Sequence, residues 1–312
     1  MNKSLITAFC FLVITTVNAQ KSKSIAEQLG YPKDSKLLIV HADDLGVSHS
    51  ENEASFDAIK NGSVTSASIM VPTPWFTEVV KYARENNPNL DFGLHLTLTS
   101  EWENYKWGPV SSKDSVSGLL NNNGYFYSAV DSVVQNASAK EVEIEINNQI
   151  KTAYKAGIDV THLDAHMGGV MNTPEYLEAY IKAGRANNIP VLLTKQIPFL
   201  NDVLDKMEPS KKDVVVYNLY SAGPTDFDNG MADFYTDLIG KIAPGLSCLI
   251  IHVAQDNDEM QAVTVDHPYW GAAWRQADYD FFTSEKCKTL LEENNIKLIT
   301  WKEVRDKIVR AE

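Results

Sequence analysis

Short apolar, β-prone runs recur along this chain, with polar or amphipathic stretches between them. The runs cover residues 37–40, 66–71, 92–98, 160–163, 191–193, 214–219, 248–253 and 297–301. Runs of this length bounded by turn-forming residues predict strands buried on both faces. Between them, 74–86, 139–156 and 174–187 carry apolar residues at helical spacing. Thr173 before Pro174, with Glu175 and Glu178 in the first turn, is helix-start chemistry. Strands alternating with helices in this way predict a parallel α/β architecture. Eight strand candidates suit an irregular or incomplete (β/α) barrel, TIM-barrel-like with parallel strands; a doubly wound open sheet is the alternative. No proline/serine-rich linker or internal repeat interrupts 20–312, which is read as one domain. Two stretches depart from the alternation, 101–136 and 255–276. Both are rich in aromatics, and long loops in a compact domain tend to carry function.

The first 19 residues stand apart from that pattern. Lys3, an apolar run over 5–17 and the small-residue pattern Val17-Asn18-Ala19 have the form of a secretory signal peptide. The expectation is export, to the periplasm or the extracellular space. Loss of this segment removes Lys3 and leaves 27 basic against 41 acidic residues, a charge of −14. Such an acidic chain should repel nucleic acid and anionic membrane surfaces. No later run approaches the roughly 18 apolar residues of a membrane span. Two cysteines remain, Cys248 in an apolar run and Cys287 in a helical stretch. With no CxxC motif, cysteine zinc chemistry is disfavoured, while a disulfide and a buried thiol both stay open for Cys248. Oligomeric state is not legible.

Candidate chemistry gathers at strand ends. The first run leads straight into Asp43-Asp44, two adjacent carboxylates whose mutual repulsion needs a cation, a base or solvent to offset it. Of the seven histidines, His95 lies inside a run, His162 and His166 at or just past the end of another, and His252 at the end of a third. Each alone is more readily a hydrogen-bonded core histidine than a ligand. Together, Asp43, Asp44, His166 and His252 fall at the C-terminal ends of separate strands, the face on which parallel barrels build active sites. One carboxylate and two imidazoles suffice to hold a divalent metal with open positions.

The ordered motifs resemble those of the YdjC-like (ChbG/HpnK-type) carbohydrate deacetylases. His41-Ala42-Asp43-Asp44-Leu45-Gly46, followed by Ser48 and Asn52, is similar to their first motif. Gly93-Leu94-His95-Leu96-Thr97 matches the second, and Thr161-His162-Leu163-Asp164-Ala165-His166 the third. Residues 65–70 between the first two are also typical, and the resemblance spans roughly 37–300. It implies that Asp44, His95 and His166 bind a divalent metal, that Asp43 is the general base, and that His252 protonates the departing amine. Zinc or magnesium is the first expectation for the metal, with manganese, cobalt or nickel as alternatives. Asp164 shares strand parity with His162 and His166; it either orients a ligand or is structural. Arg275 and Asp278 are similar to an Arg-x-x-Glu pattern of the family, and Arg275 would bind Asp43 or substrate, or form a surface salt bridge. This chain departs from the family at His41, Leu45, Met167-Gly168-Gly169 and Val253.

The implied function is metal-dependent removal of acetyl groups from N-acetylated sugars or oligosaccharides. Among the loop aromatics Trp102, Tyr105, Trp107, Tyr269, Trp270 and Trp274, the expected sugar contacts are Trp270 and Trp274, with Arg275. Export weakens the expectation of a phosphorylated intracellular sugar. The rivals are a carbohydrate O-acetyl esterase or other metal hydrolase on the same fold, and a sugar-binding protein with weak turnover.

Overall fold

Nine strands provide the frame, and in this computed structural model, which describes residues 23–86 and 90–311, every pairing between them is parallel. The proposed signal peptide lies outside the described residues. The strands are β1 (Lys36–Leu45), β2 (Ser66–Ile69), β3 (Phe92–Leu96), β4 (Leu163–Ala165), β5 (Leu193–Thr194), β6 (Val215–Val216), β7 (Asn218–Ser221), β8 (Gly245–Ile251) and β9 (Ile296–Leu298). Seven of them form a sheet ordered β4-β3-β2-β1-β8-β7, with β9 beside the start of β1. A single bridge between Leu163 and Val191 leads from β4 towards the β5–β6 pair. The sheet therefore curls into an incomplete barrel, as the strand pattern predicted, and not into a flat doubly wound sheet.

The run expected as one strand at 214–219 is divided. Val215–Val216 pairs with β5, Asn218–Ser221 pairs with β8, and Tyr217 between them turns a 56% exposed side chain outward. The expected last strand is shorter, because Thr300 caps a short helix, Trp301–Val304, with a reciprocal Thr300–Glu303 capping box. Two expected helices appear with the predicted limits, Ala139–Ala156 and Pro174–Asn187, and the third spans Phe76–Asn86.

Period-2 alternation along β1 explains how the interior is layered. Leu37 and Ile39 join Val216, Leu246, Cys248 and Trp301 in an apolar cluster at the barrel bottom. On the other face, Leu38, Val40 and Ala42 join the larger core between sheet and helices. The next residues of the Leu37/Ile39 parity are His41 and Asp43, so the barrel interior turns from apolar to ionisable as β1 approaches its C-terminal end. Cys248 and Cys287 are both buried and free, which removes the disulfide alternative.

Candidate active site

The acidic pair reaches one cavity because β1 breaks its own alternation. Neighbouring strand residues normally face opposite sides, but the β1–β2 register shifts between Ala42 and Leu45, and Asp44 adopts φ 67°. A left-handed conformation at a non-glycine residue is strained and is held by its surroundings. Here the hold is Arg275, on the helix Ala272–Phe282, whose Nη2 donates to Asp44 Oδ2 at 2.7 Å and whose Nη1 donates to Glu51 Oε2 at 2.7 Å. Gly46, at φ 101°, then turns the chain, and its N–H donates to Asn52 Oδ1 at 2.7 Å.

The other oxygen of Asp44, Oδ1, is buried without a hydrogen-bond partner among the described residues. His166 Nδ1 lies 3.2 Å from it and His95 Nε2 3.4 Å. The three donor atoms lie within 4.8 Å of one another. Ligands held about 2.0–2.2 Å from a tetrahedral cation are separated by roughly 3.5 Å, so this spacing fits a shared ion. Burial pushes the Asp44 carboxyl up, but Arg275, His166 and His95 more than reverse this and hold it well below the usual carboxylate range. Burial opposes charge on His166, yet Glu101 and Asp44 raise it to about 9. His95 is raised well above its ordinary value, against burial, by Asp43 and Asp164. The site thus holds concentrated charge on atoms that a cation and protons would compete for.

Asp164 and His41 support this constellation from below. The register pairs His95 with Asp164 across β3 and β4, and their side chains meet, with His95 Nδ1 donating to Asp164 Oδ1 at 2.8 Å. His41 Nε2 lies 2.6 Å from Asp164 Oδ2 and 3.1 Å from Asp43 Oδ1, while its Nδ1 lies 2.9 Å from Ser66 Oγ. Burial disfavours charge on His41, but the hydrogen bonds to Asp164 and Asp43 raise it to about 9. His162 packs one layer lower, stacked on Trp301, and requires the glycine of the second motif. A Cβ at Gly93 would sit 2.3 Å from the His162 ring.

His252 follows β8 directly, with its Nε2 4.0 Å from both Asp43 Oδ2 and Asp44 Oδ2. Burial holds it down at about 4, with Asp44 opposing and Arg275 reinforcing. Its backbone N–H donates to Asp278 Oδ2 at 2.9 Å. These groups open onto a cavity of 830 Å³ whose lining also includes Met167, Ser221, Tyr269 and Trp270. The size suits one or a few sugar rings.

Most of the site residues expected from sequence therefore meet at one cavity: Asp43, Asp44, His95, His166, His252, Trp270 and Arg275 all line it. Two assignments change. Trp274 is 1% exposed and stacked between Trp270 and Phe227, so it supports the wall and cannot stack on a ligand. Arg275 forms neither a surface salt bridge nor a bond to Asp43; its buried guanidinium is committed to Asp44, Glu51 and the Trp270 carbonyl. Trp102 and Trp107 are also buried, with Trp107 Nε1 donating to Thr99 O at 2.8 Å. Sequence reasoning missed Glu51, Glu101 and the linking role of His41. Glu51 follows the Ser48 helix cap and resembles ordinary first-turn acid chemistry, while Glu101 sits in a loop without periodicity.

The family described as YdjC-like protein matches residues 37–293. A carbohydrate deacetylase of Thermus thermophilus is 31% identical over 280 residues, covering 87% of this chain and 94% of that protein. Another, from Thermoanaerobacter pseudethanolicus, is 28% identical over 275 residues, covering 85% of this chain and 98% of that one. The fold is shared with a crystal structure from Enterococcus faecalis V583, solved as a candidate cellobiose-phosphate cleavage protein. That structure is 22% identical, with a TM-score of 0.74 over 86% of this chain and 99% of the other. With a match from the first strand to the helix Glu285–Glu293, the chain belongs to the YdjC-like family.

Proposed function

We propose that this protein is an exported, metal-dependent hydrolase that removes the acetyl group from an N-acetylated sugar or oligosaccharide. The observation that carries the reading is Asp44 Oδ1, a buried carboxylate oxygen with no hydrogen-bond partner among the described residues, facing one nitrogen of His95 and one of His166. Asp44, His95 and His166 would hold the metal, and a donor set of one carboxylate and two imidazoles suits zinc, cobalt, nickel or manganese. When bound there, a divalent cation would lower the pKa of a water and offset the charge that develops on the acetyl oxygen. The names of the Thermus and Thermoanaerobacter relatives support an acetylated carbohydrate as substrate.

The chain's own residues account for the proton movements. Asp43 faces the same cavity as the ligand set, and its Oδ1 contact with His41 leaves Oδ2 directed towards His95 and His252. Asp43 is the base that takes a proton from the attacking water. His252 is largely neutral at pH 7, so the proton it gives to the departing amine is one it first receives. Asp43, 4.0 Å away, is the neighbour able to supply it. Trp270, 41% exposed at the cavity wall, offers a ring face to the apolar side of a sugar. Export is supported by the apolar run and small-residue pattern near the start of the sequence.

Acetate release from a panel of N-acetylated chito-oligosaccharides and O-acetylated sugars, each supplied with a divalent metal, tests the reaction. Release from the N-acetylated members with a free amine as co-product is expected. Release from O-acetyl esters alone would replace the amidase reading with an esterase. Binding without any release would leave a sugar-binding protein.

A further inference from the structure

Glu101 takes no part in the proton movements above, yet its carboxylate is built into the site. It stands five residues beyond β3, at the start of the irregular stretch 101–136, and its side chain is 15% exposed at the cavity wall. Oε2 lies 3.0 Å and Oε1 3.2 Å from His166 Nε2. The backbone that carries it is pinned on both sides. Ser100 N donates to Tyr127 O at 2.8 Å, Lys106 Nζ donates to Ser100 O at 3.1 Å, and the neighbouring Trp102 and Trp107 rings pack edge-on in the core.

An imidazole has two nitrogens, and only one can face Asp44. Without an acceptor on the far side, the ring of His166 is free to carry its proton on either nitrogen or to rotate by half a turn. The other candidate ligand already has such an acceptor, because Asp164 Oδ1 takes the Nδ1–H of His95 and leaves Nε2 for the centre. At His166 the arrangement is mirrored, with Nδ1 towards Asp44 and Nε2 against Glu101. We infer that Glu101 is the positioning residue for His166: it accepts the Nε2–H, fixes the ring orientation, and leaves Nδ1 as the donor to a divalent cation. This inference rests on the reading of Asp44, His95 and His166 as a metal site.

The test is cobalt(II) titration of the metal-stripped protein, followed by calorimetry and visible absorption, for wild type, Asp44→Asn, Glu101→Gln and Glu101→Ala. Wild type should bind one equivalent and Asp44→Asn should lose it. Glu101→Ala should bind roughly 10- to 100-fold more weakly with an altered visible band, the range seen when such acceptors are removed. Glu101→Gln should lose much less, since its amide oxygen still accepts the Nε2–H. Unchanged affinity and spectrum in Glu101→Ala, with binding lost in Asp44→Asn, would overturn the role of Glu101 and leave the site reading standing. Equal loss in the Gln and Ala variants would likewise overturn the acceptor role. No saturable binding by wild type would overturn the site reading and the inference with it. Nitrogen-15 NMR of the zinc-loaded wild type needs no variant: a proton on Nε2 and metal on Nδ1 of His166 is expected, and the reverse assignment contradicts the inference.

Discussion

At the scale of single residues, Asp43 and Asp44 are chemical neighbours with different surroundings. Asp44 is clamped by Arg275 through one oxygen and shares the other with two histidines, whereas Asp43 touches His41 and Ser68 and faces His252. Exchanging each for asparagine should therefore fail in different ways. Asp44→Asn should lose metal binding and activity together. Asp43→Asn should keep the metal while turnover falls on the order of 10²-fold or more, the usual size of a lost general base. Metal content measured beside acetate release separates the two, and parallel loss of both properties in both variants would contradict the division of labour. The acidic pair and His166 were legible because they lie at or just past the ends of apolar runs, and His95 because it interrupts one. Glu101 and Glu51 were not, since a loop acid and a first-turn helix acid look the same whether they face solvent or a buried partner. Trp274 illustrates the opposite failure. Tryptophans in an aromatic loop suggested ring-stacking surfaces, but which ring faces out depends on packing against Phe227, a residue more than 40 positions away.

At the scale of elements, the sequence disclosed most strands and the limits of two helices, because apolar period and capping chemistry are local properties. It did not disclose the division at Tyr217, since Val214 to Leu219 is continuous in propensity and only the choice of partner strand separates its halves. Nor did it show that β1 continues through the acids, because that extension depends on the pairing of Leu45 with Ile69 of β2. The second motif gives a direct test of strand packing. Gly93 lies on β3, where a methyl group would enter the space of the His162 ring, and that ring is wedged between His41 and Trp301. Gly93→Ala should lower stability by about 1–3 kcal/mol through overpacking, measured by urea unfolding. A variant as stable as wild type would show that the His162 layer is loosely packed.

At the scale of the whole molecule, the ionisable interior makes stability depend on pH. Asp278 joins three elements: its Oδ1 accepts from Tyr235 Oη at 2.6 Å and its Oδ2 from the backbone N–H of His252, while its own helix supplies Arg275. Burial pushes its carboxyl up to about 7, outweighing those hydrogen bonds and Arg275. A carboxyl raised above its unfolded value of about 3.9 favours the fold fully below that value, and its contribution fades as pH rises through about 7. Between pH 5 and pH 8, wild type should lose about 2 kcal/mol more than Asp278→Asn, which has no proton to lose there. Equal pH slopes in urea unfolding would contradict the assignment.

The same interior, apolar at the bottom and ionisable near the strand ends, is what allows one cavity to collect Asp44, His95 and His166 from three strands' ends. The most direct test is acetate release from an N-acetylated chito-oligosaccharide before chelation, after chelation and dialysis, and after return of zinc or cobalt, with Asp44→Asn carried through each stage. Loss of release on chelation, recovery on restoring the metal, and no recovery in Asp44→Asn are predicted. Full release by the chelated wild type, or by the Asp44→Asn variant, would contradict a metal-dependent hydrolase built on this triad.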